Sequence, residues 1–212
     1  VGAIIASLAG LLLPAATQAI RKGRRTACQG NLRQIGGAML LAAHAGFLDY
    51  PPGSFIPLDG VEKVNGEWWP FTWFGALADE MELTGRSGPP DRSVDLLDAK
   101  PSVFWCPSAD EDVVGWGQGN LSYGLNVKVS GSLKTGLEYR PNTILTISEP
   151  ARRGMIGDSV EGKNFGSWII GSASRVAPGD RHSDGGNVVF VDGHVEWRPI
   201  TNLTAVGGPY RL

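Results

Sequence analysis

VGAIIASLAGLLLPAATQAI (residues 1–20), running straight into RKGRRTACQGNLRQIGGAML (21–40), is the stretch on which the fold turns. Residues 1–20 contain no charged side chain, and Ser7, Thr17 and Gln18 are their only polar ones. At ~1.5 Å per residue a helix of that length covers about 30 Å, the thickness of bilayer hydrocarbon. A secretory signal peptide places its basic residues before the apolar run and ends in a cleavage site. Here Arg21, Lys22, Arg24 and Arg25 come after it, which favours an anchor or stalk. The chain opens on Val rather than Met, as a processed or trimmed product would. Pro14 lacks an N–H and its ring clashes with the preceding turn, so a kink or local opening is expected around Gly10–Leu13. Gly2 and Gly10 are positions where other helices could approach closely. An ordinary membrane anchor that tolerates a proline is the plainer alternative.

Beyond the basic cluster, Cys28, Leu32, Ile35, Met39 and Ala42 recur at alternating steps of four and three, one face of an α-helix. The pattern ends near Gly46, and Tyr50-Pro51-Pro52-Gly53 forbids continuation. The spacing therefore predicts one helix of about 45 residues, lipid-compatible at its start and packed on a domain at its end. Gly23, Gly30, Gly36 and Gly37 weaken it by ~1 kcal/mol each relative to alanine, and offer a flat surface for packing.

Further along, VEKVNGEWW (61–69) places Asn-Gly between two extended runs, a hairpin signal that sets Lys63 across from Trp68. A short amphipathic helix is expected at 73–83, surface loop at 84–102, and strands at 103–106, 121–129 and 142–148. Near the C-terminus NVVFV (187–191) and HVEW (194–197) flank Asp192-Gly193. A two-residue turn there pairs Val191 with His194, Phe190 with Val195 and Val188 with Trp197. Val188, Phe190, Val195 and Trp197 would then face the long helix. The fold class is α+β: a long N-terminal helix, protruding at first and then packed on an antiparallel sheet with long loops. Two parts are expected: 1–20, an apolar stalk, and 21–212, the rest of the helix with a β-rich head.

Composition excludes much else. In 212 residues, 42% are hydrophobic and 19% charged, so the chain is neither disordered nor unusually charged. Its net charge of −2 argues against general nucleic-acid binding. That average hides a split, because residues 1–47 hold five basic side chains and no acid, leaving −7 for the remainder. Such asymmetry suits a basic piece that meets membranes or acidic partners.

LLLPA (11–15), ArgArgThrAlaCys (24–28) and AsnLeuArgGlnIleGly (31–36) resemble type IV pilin-like proteins and the major-type pseudopilins of type II secretion. PheTrpCysPro (104–107), SerTyrGlyLeuAsn (122–126), and His182 followed by nine residues and Asp192-Gly193 resemble the bacterial prepilin-type family with a C-terminal H-x9-DG element. The resemblance implies a lollipop fold and an inner-membrane precursor cut by a prepilin peptidase. It also implies extraction by pilus or secretion assembly machinery into a cell-surface filament, or a periplasmic pseudopilus. Mature members start with an N-methylated aromatic residue and carry a glutamate near position five. Aligned through Pro14, this chain lacks roughly eight such leading residues. In this family Pro14 marks where the stalk loosens inside the filament, here around residues 6–14. A literal positive-inside reading would put the body in the cytoplasm, but the removed leader would carry competing charges.

On this reading Ile4, Ile5, Leu8, Leu11, Leu12, Leu13, Pro14 and Ile20 form the filament core, because outside lipid only sibling stalks offer enough apolar cover. Arg21, Lys22, Arg24 and Arg25 would meet acidic surface on neighbouring heads, or lipid headgroups before assembly. Cys28 and Cys106 suggest a disulfide pinning helix to sheet in an exported body, with two buried free thiols as the alternative. Asp180, Asp184 and Asp192 offer oxygens that suit calcium, and His182 and His194 nitrogens that suit zinc. Against a metal, Asp192 is what a tight turn wants, and His182 could simply tie the loop to the hairpin by a hydrogen bond. No nucleophile elbow, phosphate loop or HExxH is present, and a dyad of Ser172 or Ser183 with His182 lacks support. Asn120 and Asn202 fit glycosylation sequons, a pattern common by chance. The expectation is a non-enzymatic, self-polymerising subunit of a pilus-like filament. A pseudopilin forming a short piston-like filament is the first alternative. An anchored binding module or hydrolase using the His182/Asp192 region is the second.

Overall fold

The structure, a computed structural model, describes residues 2–44, 77, 81, 103–109, 122–126, 129, 132–133, 139–140, 147–159, 161–162, 165–166, 169–170 and 181–204. The expected hairpin at 61–69 with Lys63 and Trp68, the loop at 84–102, Ser172, Asp180 and Asn120 lie outside these residues.

Helix α1 (Gly2–His44) runs 43 residues without interruption through Pro14. The opening expected around Gly10–Leu13 is absent in the isolated chain. Of the helix, only the second half is seated: Cys28, Leu32, Ile35 and Met39 are all 0% exposed, with Ala43 closing the stripe. They pack on Phe104, Tyr123, Leu125, Met155, Ile156 and Val189.

The head is built on β1 (Tyr123–Asn126), β4 (Gly154–Asp158), β8 (Gly185–Phe190) and β9 (Val195–Pro199), joined antiparallel in that order. A fifth strand, β7 (Ile169–Ile170), adds parallel to the outer edge of β1. Two small antiparallel ladders stand apart, β2 (Ser132–Leu133) with β3 (Tyr139–Arg140), and β5 (Glu161–Gly162) with β6 (Phe165–Gly166). The architecture is thus α+β, a long N-terminal helix on a largely antiparallel sheet, as expected. β8 is buried along its whole length because both its faces are covered. Val189 faces α1, while Val188 and Phe190 pack with Leu203 of the terminal helix α2 (Ile200–Thr204).

Three further expectations change. Residues 103–106 are turn and irregular backbone, pinned beside β1 by Ser122 N–H donating to Phe104 O (2.9 Å) and Cys106 N–H donating to Ser122 Oγ (3.0 Å). The C-terminal hairpin is one residue out of the expected register: Val189 pairs with Val195, Val188 with Glu196 and Asn187 with Trp197. Its loop has three residues, not two. Gly193 N–H donates to Phe190 O and Phe190 N–H to His194 O, both at 2.9 Å, with Gly193 at φ 90°. That is a type I turn closed by a left-handed glycine bulge. Because side chains alternate, the one-residue slip sends Val188 and Phe190 to α2 rather than to the long helix. Third, close packing on α1 uses one glycine of the four. A Cβ on Gly36 would lie 2.6 Å from Val189 Cγ2, whereas Gly23, Gly30 and Gly37 have nothing within 4 Å. Leu77 and Met81, inside the helix expected at 73–83, share a one-turn bond (Met81 N–H to Leu77 O, 2.9 Å), with Leu77 fully buried in the core.

Candidate functional site

The stalk is the first candidate functional surface. Ile4, Ile5, Leu8, Leu11, Leu12, Leu13 and Ile20 are each 54–76% exposed, and Pro14 is exposed with them. At ~100° per residue these side chains point to most of the circumference, so no single polar face faces water. The helix is long and apolar enough to cross a membrane, and none of its most apolar window is buried.

At the base of the stalk the sequence turns from apolar to basic, and there α1 meets the head. Arg21, Lys22, Arg24 and Arg25 line an open cavity of about 610 Å³ with Gln18, Ser108 and residues 181–184. The Arg25 guanidinium lies 5.5 Å from the Trp197 ring centroid, a cation–π contact between the helix and edge strand β9. The basic cluster is legible in the sequence but the rest of the wall is not, because Ser108 and Arg181 come from distant segments.

One turn above, Cys28 and Cys106 form a disulfide, Cα to Cα 5.2 Å, between the helix and the segment before β1. Asn31 Nδ2 donates to Trp105 O (2.8 Å), a second tie at the same level.

His182 sits beneath this bridge. Its Nε2 lies 3.3 Å from Cys106 Sγ and 3.4 Å from Asp158 Oδ2, its N–H donates to Gly185 O (3.0 Å), and its carbonyl accepts Trp197 Nε1–H (2.8 Å). Burial, reinforced by the Arg181 and Arg25 charges, lowers its pKa from 6.5 to about 4, so the ring is neutral at pH 7. The 3.4 Å approach to Asp158 is therefore a polar contact of a neutral imidazole rather than an ion pair.

Asp158 is the centre of the buried polar set. It accepts Asn187 N–H (2.6 Å) and Nδ2–H (3.2 Å), and Arg181 Nη1 stands 3.8 Å away. Arg181 in turn donates to Ser122 O (3.0 Å) and Ser159 O (2.6 Å). Burial, and then the Asp158 charge, push the neighbouring Tyr123 phenol far above its usual range, so it stays protonated. None of Asp158, Asn187 or Arg181 was foreseen as a site residue. The signal was weak: one acid closing the apolar strand MetIleGlyAsp (155–158).

The H-x9-DG residues do not converge. His182 precedes β8 and is buried, whereas Asp192-Gly193 forms the turn after it, about six residues or ~20 Å along the strand. Asp192 Oδ1 accepts His194 N–H (3.1 Å) and lies 2.5 Å from His194 Nδ1, whose ring stacks on Phe190 at 4.2 Å. The motif thus frames one strand, locking its start to the core and its end to a turn. Asp184 and Asp192, offered as calcium ligands, are at those opposite ends and share no centre. Among the described residues, the set of three metal-ligating groups that does converge is Cys28, Cys106 and His182, and both its sulfurs are bonded to each other. Ser183, offered as a nucleophile, is exposed beside a His182 ring whose Nε2 faces Cys106 and Asp158.

The model of a family described as a protein of unknown function (DUF1559) matches residues 18–167, from the last turn of the stalk to the sheet region before β7. No curated protein and no solved structure matches the chain.

Proposed function

The chain belongs to the DUF1559 family, whose model covers well over half of it, and we propose that it is a non-enzymatic subunit of a type IV pilus-like helical filament. The observation that carries the reading is the charge-free, predominantly apolar and exposed stalk standing clear of a folded, disulfide-stapled head. Seven large aliphatic side chains at 54–76% exposure represent on the order of 10 kcal/mol of unrealised burial. Apolar side chains around most of the rod ask for cover on all sides, which lipid or a bundle of like rods supplies and a single docking groove does not.

Before assembly the stalk lies in the inner membrane, after the action of a prepilin peptidase. Assembly machinery of the pilus or secretion type then transfers it into the filament core, at the cell surface or in the periplasm. Repeated head-to-tail packing of one surface without closure gives an open helix. Arg21, Lys22, Arg24 and Arg25 would then meet the acidic surface of a neighbouring head.

Electron microscopy of native material, with antibody against the head, tests this. Ordered fibres containing the chain are expected, and Leu12→Asp should abolish them while leaving the head folded. A dispersed monomer, or fibres that persist in the Leu12→Asp variant, would overturn the reading. Fibre length under native expression separates a surface pilus from a short pseudopilus.

A further inference from the structure

We propose that the cavity between the stalk base and the head is a binding site for the phosphate headgroup of an anionic phospholipid, occupied while the subunit waits in the membrane. This rests on the membrane-held precursor of the preceding reading.

Position is the first ground. Residues 2–20 carry no charge and cover about 28 Å of helix, and Arg21 follows at once, so the cavity lies where headgroups begin if the stalk spans the hydrocarbon. Charge is the second. Arg21, Lys22 and Arg24 are exposed and Arg25 is half-buried, four helix cations against the single lining acid Asp184, while Arg181 in the wall is balanced by the buried Asp158 behind it. Shape is the third. The cavity, about 610 Å³, is built from both the helix and the head, with Ser108 and Ser183 among the head residues that line it. That volume falls in the range of small-molecule sites. A bare basic stripe on a helix would attract any anionic surface. A concave site lined by several guanidinium groups suits one phosphate, held by charge-assisted bonds.

The roles within the site differ. Arg181 is committed to Ser122 O and Ser159 O and stands 3.8 Å from the buried Asp158 carboxylate, so it forms part of the wall with its charge answered inside the head. Arg25 is held over Trp197, which fixes the cavity's near wall. Arg21, Lys22 and Arg24 are the side chains available to close on a headgroup. Asp184 weakens the site, and its removal should strengthen it.

The test uses the full chain in nanodiscs of phosphatidylcholine with about one-fifth phosphatidylglycerol, with lipid retention read by native mass spectrometry. Phosphatidylglycerol should be retained in preference to phosphatidylcholine. Each basic charge near a membrane surface is worth a factor of about five in affinity, so Arg21→Gln with Arg24→Gln should lower the preference roughly twenty-five-fold. Asp184→Asn, which keeps a residue tolerant of its left-handed backbone at φ 60°, should raise it. Equal retention of the two lipids, or a preference unmoved by the double variant, overturns the proposal. Soluble glycerol phosphate bound as strongly as the lipid overturns the lipid as the source of the phosphate. Fibres formed without any lipid preference would overturn this proposal alone. Lipid preference in a chain that never forms fibres would overturn only the filament reading.

Discussion

Breaking the Cys28–Cys106 bond should cost the head about 4 kcal/mol. The bridge joins positions 78 residues apart, and loop closure at that length removes about 15 cal/mol/K from the unfolded chain, or roughly 4.5 kcal/mol at 25 °C. Reduction is a cleaner perturbation than substitution, because it removes no atom from a site where both cysteines are completely buried. A domain of this kind has about 5–15 kcal/mol in total, so the reduced head should retain a much smaller margin. Urea unfolding of the full chain in mild detergent, followed by tryptophan fluorescence, measures the difference between oxidised and reduced protein. The oxidised form should also show the shallower urea dependence, since its unfolded state is held more compact. A stability difference below about 1 kcal/mol would refute the loop-closure account. Two thiols freely alkylated in native material would refute the bond itself.

Two glycines one position apart on α1 should respond in opposite directions. Gly36→Ala drives a methyl to 2.6 Å from Val189 Cγ2 and should destabilise by about 1–3 kcal/mol. Gly37→Ala meets nothing within 4 Å and should stabilise by about 0.5–1 kcal/mol through helix propensity. Thermal unfolding of both variants checks the pair, and equal shifts of one sign would contradict the seating of the helix on β8. For His182, whose pKa falls to about 4 in the folded head, the unfolded chain binds more protons between about pH 4 and 6.5. Stability contributed by this group is therefore complete above about pH 6.5 and declines as pH falls toward about 4. NMR titration of the ring reads it directly, and a pKa above the ordinary 6.5 would mean that the Asp158 carboxylate outweighs burial.

The length of α1, its division into a bare half and a seated half, and the basic collar between them were legible in the sequence, because each rests on local periodicity or on a run of one residue class. The seated face was legible for the same reason: Cys28, Leu32, Ile35 and Met39 keep helical spacing, and all four are fully buried. Pairing Cys28 with Cys106 needed little more, since the chain has two cysteines. The C-terminal hairpin was legible as a hairpin but not in its register. Asp192-Gly193 fits both a two-residue turn and a longer one, and the difference of one residue decides which valines meet the long helix.

What the sequence alone determined is the rod: its length, its greasy half, its charged collar and the stripe that docks. Only the tertiary structure decided that Gly36 rather than its sister glycines admits Val189, and that His182 and Asp192 stand at opposite ends of a strand. It alone showed that Asp158, Asn187 and Arg181 form the buried polar centre, and that Ser108, Arg181 and Asp184 complete a cavity with the collar. Periodicity records which way a side chain points relative to its own element. Contacts between segments dozens of residues apart depend on how the elements are stacked, and that is fixed by close packing of the whole core rather than by any one stretch of chain.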